Sequence, residues 1–127
     1  MSNPSDRKYH SEHTWAKVEG DLARIGITDF AQEQLGDIVF VDLPSKGGRL
    51  TQGESFGTVE SAKTVSDLIA PVSGEVVEVN SALDDDPETV NESPYENGWM
   101  VVVRIDNPGE LDDLLSADAY EQVIEDE

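Results

Sequence analysis

Gly57-Thr58-Val59-Glu60-Ser61-Ala62-Lys63-Thr64-Val65-Ser66-Asp67-Leu68-Ile69-Ala70-Pro71 is the stretch from which the fold is read. Apolar Val59 and Val65 flank a polar interval, a pattern that predicts two antiparallel strands joined by a tight turn with Lys63 at or beside its tip. Ser61 and Ala62 are small and leave the lysine stem uncrowded. Gly74, eleven residues beyond Lys63, allows the next sharp turn. A lysine so placed is held at its backbone while its side chain projects into water. On spacing alone, an ordinary exposed lysine is the commoner reading.

Outward from this turn, strand patterns dominate. Ala16–Glu19 and Leu22–Ile27, joined by Gly20-Asp21, read as a hairpin. Residues Asp29–Gly36 read as a short helix, capped by Thr28 or Asp29 and ended by Gly36 in a left-handed conformation, with Phe30, Ala31 and Leu35 on its buried side. Asp37–Leu43 is a strand stopped by Pro44. Further strands are expected at Ser55–Glu60, Val65–Ala70, Glu75–Val79 and Trp99–Ile105, separated by Gln52-Gly53, Pro71-Val72-Ser73-Gly74 and Asn97-Gly98. Many short strands at this spacing argue for a small sandwich or barrel. The segments Asp84–Pro87 and Asn91–Pro94 read as one irregular acidic loop. Residues 111–127 carry Leu111, Leu114, Leu115, Tyr120 and Val123 at helical spacings, with Ser116 as a cap, and predict a C-terminal helical segment with an acidic end.

Composition sets the boundaries. The 127 residues suit one domain, 1–127, with 1–7 expected to be flexible. There is no cysteine, which removes disulfides, thiolate metal sites and cysteine nucleophiles and fits a reducing compartment. No apolar run approaches the ~18–20 residues of a membrane span, and Met1–His10 resembles neither signal nor transit peptide, so a cytoplasmic protein is expected. The 28 acidic residues against four lysines and four arginines give a net charge of −20. Such a surface repels phosphate backbones and anionic lipid, so neither nucleic acid nor membrane is an expected partner. It suits concentrated salt, where screening suppresses self-repulsion, and a halophilic setting is expected. With no long exposed apolar stripe, a monomer is expected.

Catalytic machinery is not evident. His10 and His13 are the only histidines and lack a clustered third ligand, so no metal site is expected. Asp84-Asp85-Asp86 lacks the alternating ligands of a calcium loop. There is no nucleophile elbow and no phosphate-binding glycine loop. Catalytic residues are therefore none, and the chain is read as a non-enzyme.

The stretch around Lys63 resembles the attachment site of lipoyl carriers, and specifically of glycine cleavage H proteins. Similar to that family are Gly26-Ile27-Thr28-Asp29, Ala31-Gln32, Leu35-Gly36-Asp37, Val41-Asp42-Leu43-Pro44 and Val59-Glu60-Ser61-Ala62-Lys63. So are Ser66-Asp67, Ala70–Val76, Asn80, Pro87, Asn91, Ser93-Pro94-Tyr95 and Gly98-Trp99-Met100, so that the likeness runs from about Lys8 to Tyr120. The related biotin carriers usually flank their lysine with methionines, whereas Lys63 sits between Ala62 and Thr64. The resemblance implies a mainly β barrel-sandwich hybrid, lipoyl/biotinyl-domain-like, with short added helices.

It further implies lipoate on Lys63, with Glu60, Ser61, Ala62 and Thr64 as modification-recognition residues. A groove for the loaded arm is implied, with Glu12, Thr14, Gln34 and Asp67 as candidates; Ile27 and Leu35 read as core. Many family members have His-Glu-Trp where this chain has His13-Thr14-Trp15, and here Glu12 supplies the nearby acid. The implied role is to shuttle an aminomethyl group from the pyridoxal-phosphate glycine decarboxylase (P protein) to the folate-dependent aminomethyltransferase (T protein), then present the dithiol to dihydrolipoyl dehydrogenase (L protein). A lipoate ligase or lipoyl/octanoyl transferase is the implied modifying enzyme. A lipoate relay to other carriers is the second reading, and an unmodified interaction domain the third.

Overall fold

The computed structural model describes residues 4–125. Nine strands alternate with short helices: β1 (Lys8–Tyr9), β2 (Thr14–Glu19), β3 (Leu22–Ile27), α1 (Asp29–Leu35), β4 (Ile38–Asp42), β5 (Arg49–Leu50), β6 (Ser55–Ser61), β7 (Val65–Ile69), β8 (Gly74–Val79), α2 (Ala82–Asp85), α3 (Thr89–Glu92), β9 (Val101–Ile105), a 3-10 turn (Pro108–Asp113) and α4 (Ala117–Glu125). They form two antiparallel sheets, β1-β2-β3-β9-β8-β5 and β4-β6-β7. The expected sandwich of short strands is therefore present.

Both predicted hairpins form. Val18 pairs with Ala23 across the β2–β3 turn, and Glu60 pairs with Val65 across the turn that carries Lys63. Burial of alternate residues follows the pleat: Ala16, Ala23, Ile25, Val76, Val101 and Val103 make one core, and Ile27, Ile38, Val41, Val59, Leu68 and Met100 a second, with Phe56 packed against both. Each fully buried aliphatic side chain contributes roughly 1.5–3 kcal/mol of transfer free energy.

Several expectations need correction. The acidic segment is not one irregular loop, because Leu83 and Val90 are buried in the second core and draw the backbone into the turns α2 and α3. Leu114 and Leu115 are not helical: Leu114 is extended, and Leu115 exchanges two backbone hydrogen bonds with Tyr9 at 2.7 and 2.8 Å. Ser116 does cap the following helix, accepting at Oγ from the Ala119 N–H (3.2 Å). Gly36 ends α1 at φ 85°, ψ −157°, a region open essentially to glycine alone but not the left-handed helical one. The apolar side of α1 is only half-covered: none of Phe30, Ala31 and Leu35 is fully buried, for they face a cleft.

Of the leading segment expected to be flexible, residues 1–3 lie outside the described residues, as do 126–127 of the acidic end. Arg7, in contrast to that expectation, is 5% exposed, with its guanidinium 4.7 Å from the Trp15 ring centroid and donating to the Tyr95 carbonyl (2.9 Å).

Candidate functional site

Lys63 stands on the turn between β6 and β7, and Ser61 is what shapes that turn. The Ser61 side chain is buried and its Oγ accepts from the backbone N–H of Thr64 (3.1 Å) and Lys63 (3.3 Å), while the Ser61 N–H donates to the Thr64 carbonyl (2.8 Å). Ala62 N–H donates to the Asp37 carbonyl (3.1 Å), pinning the tip to the start of β4. Ala62, Lys63 and Thr64 are exposed. The lysine thus has a stiff base and an exposed side chain. Beyond its small size and its implied part in modification recognition, Ser61 has a role that spacing does not reveal: its hydroxyl is the closing acceptor of the turn, as serine hydroxyls often are.

Beside the turn lies a cleft of about 360 Å³. Glu12, Thr14, Gln34 and Asp67, the four groove candidates, all line it. Ile27, Phe30, Leu35, Val59, Leu68 and Ile124 supply its apolar surface. Ile27 is core as expected, at 3% exposure, yet it also reaches the cleft. Thr14 is buried and its hydroxyl donates to the Ile69 carbonyl (2.8 Å), so this position contributes wall rather than charge. Glu12 and Asp67 are the two carboxylates of the lining, and both are exposed.

The loop carrying Glu12 is held by its neighbours. His10 N–H donates to the Thr14 carbonyl (2.8 Å), and His10 Nδ1 accepts from the Glu12 N–H (3.0 Å). Burial pushes the His10 pKa below the ordinary 6.5, Glu12 pulls it up and nearby His13 adds to the lowering. His13 has φ 74°, uncommon for a residue with a side chain. Its Nδ1 lies 2.7 Å from the Tyr120 hydroxyl, which also lies 2.7 Å from Thr28 Oγ1, the cap of α1. Tyr120 therefore ties the C-terminal helix to two walls of the cleft.

Asn91 is the brace that the sequence reading did not single out as structural. Its Oδ1 accepts from Ile38 N–H (2.8 Å), and its Nδ2 donates to Gln32 Oε1 and to the Gly36 carbonyl, both at 2.9 Å. One side chain on α3 thereby fixes α1 against β4. Such a role is invisible in spacing, since its partners lie more than fifty residues away. Tyr95, whose hydroxyl accepts from Asp29 N–H (3.1 Å), holds the other end of α1, and burial pushes its pKa up to about 12. Among the described residues no group of histidine, cysteine or acidic side chains is arranged to hold a metal.

The family model of the glycine cleavage H-protein matches residues 7–127. The chain belongs to the glycine cleavage H-protein family. It is 60% identical to the glycine cleavage system H protein of Halalkalibacterium halodurans across the whole of both chains, and 59% identical to that of Staphylococcus carnosus across 98% of each. The crystal structure of a glycine cleavage system H protein from Mycobacterium marinum superposes with a TM-score of 0.87 at 47% identity, covering 94% of this chain and 97% of that one. The lipoyl-domain-like fold expected from the family resemblance is the fold observed. In this H-protein-family chain no helix among the described residues is long and apolar enough to cross a membrane.

Proposed function

We propose that Lys63 carries lipoate in amide linkage and that the chain, as one domain, is the carrier of the glycine cleavage system rather than an enzyme. The observation that carries this reading is the exposed Lys63 on a Ser61-closed turn beside a half-apolar cleft whose lining carboxylates are Glu12 and Asp67. Bound lipoate would supply a strained disulfide able to take up an aminomethyl group, with its electron pair, on one sulfur while the other becomes a thiol, and it would be a dithiol only once that group has been passed on.

The residues present fit that group. Ile27, Phe30, Leu35, Val59 and Leu68 offer a hydrocarbon and sulfur arm a surface that excludes water. Glu12 and Asp67 attract a protonated amine at the arm's loaded end, and Gln34 offers it a neutral polar neighbour. Because both carboxylates are open to water, this hold is weak enough for partner enzymes to reverse. Glu60, Ser61, Ala62 and Thr64 present the lysine to the modifying enzyme, a lipoate ligase or lipoyl/octanoyl transferase. The partners in turnover are the P, T and L proteins, met by a monomeric carrier in the cytoplasm. A tether keeps the reactive sulfurs at local concentrations on the order of millimolar near a docked partner.

Intact mass of the protein from its native source tests the reading. A single lipoyl increment, lost in Lys63→Arg together with glycine cleavage activity, is the expected result. A mass equal to the bare chain, or full activity in Lys63→Arg, overturns it. Loss of lipoylation on 2-oxoacid dehydrogenases when the gene is deleted would move the assignment to a relay.

A further inference from the structure

Val39, Phe40 and Val65 are the exposed large hydrophobic side chains of the described residues, at 51, 53 and 59% exposure, and all lie on the β4-β6-β7 sheet. Register puts Phe40 opposite Glu60 and Glu60 opposite Val65, so two apolar side chains flank one carboxylate in a row across the sheet. The irregularity between Ile38 and Phe40 leaves Val39 exposed as well. This row borders the Lys63 turn, with Glu60 three residues before the lysine and Val65 two after. The three strands carry Asp42, Glu60 and Asp67 and no lysine or arginine. None of these carboxylates forms an ion pair among the described residues. Beyond Phe40, a groove runs past Asp42, Lys46, Glu78 and Asp84.

Apolar area in water beside uncompensated negative charge is a surface that gains from a complementary cover: burial supplies affinity and charge supplies steering. We propose that this face docks the enzyme that acylates Lys63, and that the enzyme meets it with an apolar contact rimmed by lysine or arginine. The inference rests on Lys63 being the acylated residue. That enzyme works at Nζ, only one lysine side chain from the turn, so it has to contact what flanks the turn. Enzymes working at the far end of an acylated arm stand further off. In the step served, Nζ loses a proton and forms an amide with the acyl carbonyl carbon of an activated donor, whose nucleotide-phosphate or carrier-thiol leaving group departs.

The test uses the full chain, a purified lipoate ligase, lipoate and ATP, with product followed by intact mass. In Phe40→Ser/Val65→Thr the KM for the carrier rises about tenfold while kcat stays within about twofold, in keeping with lost contacts in docking alone. Raising KCl raises the wild-type KM as the charges are screened. Val65→Lys, at an exposed position, repels the basic rim and raises KM independently. An unchanged KM in the double variant or in Val65→Lys overturns the assignment. So does sedimentation of the wild type as a dimer that the double variant abolishes, which gives the face to a second copy. Lys63→Arg runs alongside: acylation persisting there, or absent from the wild type, defeats the carrier reading instead of the docking face.

Discussion

The Lys63 side chain passes close to Gly36. A Cβ at Gly36 would stand 3.5 Å from Lys63 Cε and 4.0 Å from Nζ, so the exposed lysine stem runs near the end of α1. The preceding residues Gln34 and Leu35 line the cleft, and the same glycine thus joins the attachment point to the groove.

Gly36→Ala separates space from strain. The distances are ordinary contacts, but the φ of +85° disfavours any side chain, at a cost of about 1–3 kcal/mol. Thermal unfolding is expected to shift down accordingly while Lys63 is still acylated. A variant with unchanged stability but blocked acylation would show that sterics, not backbone strain, govern this position.

Asn91→Ala removes the acceptor of the buried Ile38's amide and the donor to Gln32 and Gly36. With unsatisfied buried groups costing about 1–3 kcal/mol each, the expected loss is roughly 2–4 kcal/mol. Denaturant unfolding measures it, and faster hydrogen exchange at the Ile38 amide localises it. A loss below about 0.5 kcal/mol, the usual scale of surface changes, contradicts the brace.

Glu12→Gln and Asp67→Asn address the hold on a loaded arm. Both acids are exposed, so each is worth only about 0.2–1 kcal/mol, as exposed ion pairs are. Unassisted loss of the aminomethyl group from purified loaded protein is expected to speed up about two- to thirtyfold for both combined. An equal rate in Asp67→Asn and wild type at low salt would remove Asp67 from the hold on the amine.

His10 gives a pH dependence. Its folded pKa is lowered, chiefly by burial, so protons bind the unfolded chain more readily. Its contribution to stability is complete above about pH 6.5 and is lost as pH falls through the folded value. Protonation also removes the Nδ1 acceptor from the Glu12 amide. In an NMR titration the His10 ring should titrate below 6.5, and the Glu12 amide shift should follow it. Titration above 6.5 contradicts this account.

The acidic surface predicts a rise in thermal stability with salt. We propose that it suits concentrated salt: the net charge of −20 repels itself across a Debye length of about 10 Å at 0.1 M, which shrinks to about 3 Å at 1 M. The unfolding midpoint in 1 M KCl should exceed that in 0.1 M. A flat or falling midpoint argues that the compact state bears little of this repulsion.

Much of the molecule was legible in one dimension because its information is local. The β2–β3 and β6–β7 hairpins, the Thr28 cap of α1 and the strands from Ser55 to Ile105 follow from alternation, turn chemistry and capping within a few residues. The position of Lys63 at a turn tip belongs to the same class. What misled was also local: helical spacing at Leu114 and Leu115 was outweighed by pairing with Tyr9, and polarity at Ala82–Glu92 was outweighed by the burial of Leu83 and Val90.

The sequence by itself determined the strand-rich fold, the turn and the lysine upon it. Only the tertiary structure decided that Glu12, Thr14, Gln34 and Asp67 meet in one cleft, that Asn91 and Tyr120 brace its walls, and that Phe40 and Val65 share a row. The physical reason is range. Turns and pleats are set by neighbours along the chain, whereas a cleft is what remains between surfaces whose packing depends on side chains fifty to a hundred residues apart.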